Sequence, residues 1–233
     1  MKNVGSFMDE LLSHLKMPLD IELLFTCREH FSRAASLYNN RIRTPNSPEQ
    51  RSPDEFLNGH GHKICYAPLV QNLRKTGHRV TALNYHPSDE WVKRFFTHIG
   101  FAEQDIPSNK AVLIAYSPRM LIALLAAKRV VKSPKKVSAL IKQFDKQMPR
   151  SREPSRFIFS PEAARQAEER HYAADRKFLK DEFNIDLTPP DLSTQTCEFF
   201  ISDEELGQIA AAASKFGSQG KALVDFARQY VGG

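Results

Sequence analysis

The chain has 233 residues, 41% of them hydrophobic and 26% charged, with a formal net charge of +6 and a pI near 9.2. That balance suits a folded globular chain and excludes a highly charged disordered one; no apolar run approaches the ~20 residues that span a bilayer. The basic surplus fits an anionic partner, such as a nucleotide, an acidic or sulfated glycan or nucleic acid, without choosing among them.

The opening segment, MKNVGSFMDELLSHLK, predicts a helix over Phe7–Lys16 with Phe7, Leu11, Leu12 and Leu15 on one face. It carries acids and has no apolar signal core, so the expected compartment is the cytoplasm. Ile21–Thr26 is a short, nearly continuous apolar run, the pattern of a buried strand. Phe31–Ile42 predicts a helix and Thr44–Pro53 a loop. Glu55–Asn58 predicts a short helix after Asp54, and Ile64–Lys75 a further helix stopped by Gly77. His78–Tyr85 alternates at Val80 and Ala82 and predicts a second strand. The next helix is marked by Ser88 as N-cap and Gly100 as C-cap.

Beyond Gly100 the pattern predicts helices over Pro118–Val131, Pro134–Gln147, Pro161–Phe183, Asp203–Phe216 and Gly220–Val231, with a basic loop over Met148–Phe157. Ser117, Ser133 and Ser160 each precede a proline. A serine cap followed by proline at the first helical position suits the unpaired N–H groups there. Strands separated by helical crossovers predict an α/β fold with parallel pairing and a predominantly helical C-terminal half.

Several constellations bear on chemistry. Cys27, Cys65 and Cys197 are odd in number and widely spaced, which predicts reduced thiols. GHGHK, Gly59–Lys63, predicts a flexible loop whose His60 and His62 do not close a metal site. His86 predicts a loop residue, and His171 a surface or packing residue on a long helix. Glu168, Glu169, Asp175, Arg176 and Lys180 predict exposed pairs one helical turn apart. Trp91, Phe95 and Phe96 predict core anchors. The basic run Ala126–Lys136 predicts a solvated helix end and loop. Gly220-Lys221 lacks the spacing of a phosphate loop.

The stretch IELLFTCREHFSRAASLYNN, Ile21–Asn40, points to a ligand. Its strand ends near Thr26 or Cys27 and delivers Arg28 into the turn before a helix, at the carboxyl end of the sheet where open α/β folds bind ligands. The next helix aims free N–H groups and its positive dipole end at the same place, and an arginine grips phosphate through two parallel hydrogen bonds. Ser36 follows Arg28 by eight residues.

In CREHFSRAASLY the arginine, the serine and their spacing resemble the nucleotide-dependent sulfotransferase family, particularly bacterial members that sulfate glycans. The resemblance extends through Tyr66–Phe101, SPRMLIALLAAKRV and the helix after Ser160, covering roughly Leu19 to Leu187. It implies that Arg28 and Ser36 bind the 3′-phosphate of 3′-phosphoadenosine-5′-phosphosulfate, the sulfuryl donor to a hydroxyl of a glycan or small acceptor. It implies a shortened P-loop-type parallel sheet. The family begins with a strand, a phosphate-binding loop and a helix that hold the 5′-phosphosulfate. No such Gly-rich loop precedes the strand here, and no general base is visible.

The expected division is therefore a sulfotransferase-like α/β domain over residues 1–187, lacking the N-terminal phosphate loop, with a helical C-terminal extension over 188–233 packed on it. A noncatalytic binding protein on the same shortened scaffold is the alternative. Neither a metal nor a specific nucleic acid is implied, and a homodimer that covers the shortened sheet's edge stays open.

Overall fold

The computed structural model describes Glu10, Ser13, His14 and residues 20–85, 89–102, 116–147 and 157–232. Apart from Glu10, Ser13 and His14, the helix expected over Phe7–Lys16 lies outside them, as do His86, Ser88 and residues 148–156. In chain order the elements are β1 (Glu22–Cys27), α1 (His30–Arg43), α2 (Pro53–Ile64), α3 (Ala67–Arg74), β2 (Arg79–Asn84), α4 (Asp89–His98), α5 (Pro118–Val130) and α6 (Pro134–Gln147). They continue with α7 (Pro161–Ala167), a π-helical turn (Glu168–Tyr172), α8 (Ala173–Phe183), α9 (Asp203–Ala213) and α10 (Gly217–Ala227). The chain is mixed α/β and mostly helical.

Two compact units share the chain. The first comprises Met1–His30, His62–Lys110 and Glu168–Pro189; the second comprises Phe31–Gly61, Ala111–Ala167 and Pro190–Gly233.

In the first unit β1 and β2 pair in parallel, in the register Glu22↔Arg79 through Cys27↔Asn84. The predicted parallel pairing is thus observed. Glu22 and Arg79 also form an ion pair at 3.3 Å, and Thr81 donates to the Glu22 carboxylate, which pins the register at the amino end. The core gathers Cys27, Tyr66, Leu179, Ile185 and Leu187, with Phe25, Leu69, Ala82, Phe178 and Phe183 packed against it. At the end of α4, Gly100 has φ 91°. Its N–H donates to Thr97 C=O and the Phe101 N–H to Phe96 C=O, both at 3.0 Å, the paired bonds of a Schellman ending. Trp91, Phe95 and Phe96 are half-buried, so they cover the unit's flank and do not anchor a core.

In the second unit α5 is buried from Met120 to Lys128, as expected of a helix apolar on nearly every side. It packs on α6 and α10, and α9 packs on α6 and α10. Ser117 caps α5 by accepting from the Met120 N–H at 3.4 Å, and Ser160 caps α7 by accepting from the Ala163 N–H at 3.2 Å. Gly220 sits where α10 meets α9: a Cβ there would lie 2.1 Å from the Ala213 carbonyl oxygen. The glycine permits close helix contact.

Three local expectations are corrected. The GHGHK loop is helical, inside α2, because Phe56, Leu57 and Ile64 are buried and hold that helix through both glycines. The basic run Ala126–Lys136 is not all solvated, since Ala126, Ala127 and Lys128 are buried. The helix expected over Pro161–Phe183 is interrupted by the π turn at Glu168–Tyr172.

Candidate functional site

At the carboxyl ends of the strands, the Tyr85 N–H donates to the Cys27 carbonyl at 2.6 Å, which ties the two exits together. Arg28 is the next residue. Its main chain is held from both sides by one phenol: the Arg28 N–H donates to Tyr66 Oη at 2.7 Å, and the Tyr66 O–H donates to the Arg28 carbonyl at 2.9 Å. The Arg28 guanidinium carbon lies 5.4 Å from the centroid of the Tyr85 ring, within cation–π range.

His30 opens α1 and is fully buried. Its Nε2 lies 2.8 Å from Asp175 Oδ2, and its ring stacks on Tyr172 with centroids 4.7 Å apart. An ionised carboxylate only accepts, so the contact assigns the proton to Nε2. His30 Nδ1 is buried without a hydrogen-bond partner.

Asp175 gathers three donors. Besides His30, the Tyr66 N–H donates to Oδ2 and the Ala67 N–H to Oδ1, each at 2.8 Å. Those amides open α3, and Tyr66 gives that helix no side-chain cap of its own. Asp175 therefore caps α3 from another element. Burial pushes its carboxyl up, but the hydrogen bonds from His30, Tyr66 and Ala67 outweigh burial and hold it below the usual carboxylate value.

This overturns the exposed role expected of Asp175, which is buried. Its neighbour Arg176 pairs with Glu168 across the π turn. Burial lowers the Arg176 guanidinium, and the Glu29 carboxylate opposes that shift. Lys180 pairs with Asp186 at 3.5 Å instead of a residue one helical turn away.

Arg28 belongs to the first unit and Ser36 to the second. Ser36 lies on the exposed side of α1, whose buried side carries Phe31, Ala34, Tyr38 and Ile42.

The second unit carries a cleft of about 570 Å³ lined in part by Arg41, Glu49, Arg51 and His60. The buried Glu49 carboxylate accepts from Arg51 Nε and Nη2, both at 2.8 Å, and lies 3.6 Å from Arg41. Beside it, the Lys128 ammonium donates to the carbonyls of Arg41, Thr44 and Ser47 at 2.9, 2.8 and 3.0 Å. Burial pulls Lys128 down to about 8, against the attraction of Glu49. These groups satisfy one another and close the turn after α1.

The histidines do not converge. His60 stacks on Phe56, with centroids 5.1 Å apart, while His62 faces His171 at 6.2 Å. Among the described residues no group of three or more His, Cys, Asp or Glu is placed to hold a metal ion. Among them, too, no helix is long and apolar enough to cross a membrane. No disulfide joins Cys27, Cys65 and Cys197.

No protein-family model, curated protein or solved structure matches this chain.

Sequence reasoning placed Arg28 and missed Tyr66, His30 and Asp175. One local signal marked Tyr66: it precedes Ala67-Pro68 at a helix start, yet tyrosine is a poor cap. A helix begun that way takes its cap from elsewhere.

Proposed function

We propose that this chain is a sulfotransferase-like nucleotide-binding protein. Its Arg28 grips the 3′-phosphate of a 3′-phosphoadenosine nucleotide, of which 3′-phosphoadenosine-5′-phosphosulfate is the sulfuryl donor. The observation that carries the reading is the placement of Arg28 directly after a parallel strand, with its main chain clamped and α1 opening two residues later. That arrangement supports anion capture through the guanidinium fork. The shortened P-loop-type sheet and the glycan or small-molecule acceptor are parts of the same proposal and rest on the resemblance of CREHFSRAASLY to that family.

Binding is the activity assigned to the chain. Sulfuryl transfer also requires donors at the 5′-phosphosulfate, where charge develops as the bond to sulfur breaks, and Arg28 serves the opposite end of the nucleotide.

Calorimetric titration tests this. Adenosine 3′,5′-bisphosphate binds the wild type more tightly than adenosine 5′-monophosphate does. Arg28→Ala weakens the bisphosphate by ten- to a hundredfold, since a charged hydrogen bond contributes about 1.5–3 kcal/mol, and leaves the monophosphate unchanged. Equal affinity of wild type and variant for both, or no binding of either by the wild type, sinks the proposal.

A further inference from the structure

We infer that Tyr66 and Asp175 are positioning residues for the Arg28 guanidinium, so that selectivity for a 3′-phosphate is set by groups that do not touch it. The inference rests on the nucleotide reading above.

An arginine side chain is long and flexible, and its fork matches a phosphate only when its Cα frame is fixed. Two peptide planes define that frame at Arg28, and the Tyr66 phenol binds one group from each: the N–H at 2.7 Å and the C=O at 2.9 Å. The phenol is itself fixed. Its ring packs on Phe25 and His30, with centroids 6.2 and 5.6 Å apart, and the Tyr66 N–H is held by Asp175 at 2.8 Å. Asp175 is fixed in turn by His30, which follows Arg28 by two residues.

The bonds therefore close a circle from Arg28 through Tyr66, Asp175 and His30 back to Arg28. A turn tied at three points, the Arg28 N–H, the Arg28 C=O and the His30 ring, holds one main-chain conformation, whereas a turn tied only by its strand and helix samples several. The Tyr85 ring gives the aimed guanidinium a flat surface to lie on.

A purely stabilising role predicts a different result from a positioning role, and nucleotide selectivity separates them. Tyr66→Phe keeps the ring and removes only the oxygen. The positioning role predicts about a tenfold loss of affinity for adenosine 3′,5′-bisphosphate, with adenosine 5′-monophosphate unchanged, and faster hydrogen exchange at the Arg28 amide. Asp175→Asn forms the second arm. It leaves the phenol in place but loosens its anchor, and it shifts the same ratio by a smaller factor. Far-ultraviolet circular dichroism checks that each variant is folded.

If wild type binds the bisphosphate selectively and both folded variants keep its ratio, the positioning role is overturned while the nucleotide reading stands. Equal loss of both nucleotides also overturns it. If the wild type binds neither nucleotide, the nucleotide reading fails and takes this inference with it.

Discussion

His30 and Asp175 lie 145 positions apart in the chain and meet at 2.8 Å in the interior of the first unit. The pair joins the start of α1 to α8, and the same carboxylate caps α3. Removing it leaves the His30 Nε2–H and two amides without their acceptor. Each buried donor left unpaired costs about 1–3 kcal/mol. Asp175→Ala is therefore expected to lose stability of that order in urea denaturation; a loss under about 1 kcal/mol contradicts this, being within the reach of one ordinary hydrogen bond.

The same carboxylate predicts a pH dependence. Its folded pKa is held below the unfolded value, near 3.9, so its stabilisation is complete above that value and is lost as the pH falls through the folded pKa. The stability difference between wild type and Asp175→Asn should be greatest near neutral pH and shrink below about pH 4. A difference that grows on acidification refutes the assignment. Urea midpoints across this range measure it.

Lys128 closes the turn after α1 with three carbonyl acceptors. Lys128→Met keeps most of the apolar stem and strands those acceptors, each at roughly 1–3 kcal/mol if left dry. Water entering the cleft offsets part of this, so the expected net loss is about 3 kcal/mol, with faster amide exchange at the end of α1. Unchanged stability and exchange would show that the carbonyls find other donors.

Gly220→Ala places a methyl against the Ala213 carbonyl, where only 2.1 Å is open. Overpacking of this kind costs about 1–3 kcal/mol, more than the gain from alanine's better helix propensity. Thermal denaturation should show a lower midpoint. A rise would mean that α9 and α10 part without penalty.

Arg28→Lys serves as a graded control for the nucleotide reading. It should recover only part of the affinity that Arg28→Ala loses, because an ammonium lacks the planar fork. Calorimetry in which Arg28→Lys binds the bisphosphate as tightly as the wild type would take the planar fork out of the reading.

The sequence by itself determined the elements whose causes are local. Ile21–Thr26 and His78–Tyr85 announced β1 and β2 to within a residue at each end, because apolar runs bounded by breakers have few other conformations open to them. The helical crossover between them made the pairing parallel, and Ser117, Ser160 and Gly100 marked helix ends through bonds made within a few residues. The place of Arg28 was legible for the same reason: it is the residue at which the strand stops. Only the tertiary structure decided what surrounds it. Asp175 reads as one more acid on a charged helix, and it became a buried cap because α8 brings it to the unpaired amides of α3 and to His30. Lys128 reads as a solvated cation, and it was drawn inside by three carbonyls that no periodicity reveals. Gly59 and Gly61 read as a loop, yet Phe56, Leu57 and Ile64 hold them in a helix. For Asp175 and Lys128 contacts made far along the chain outweighed a local preference of about 1 kcal/mol or less, and for the two glycines burial of the helix's apolar side did.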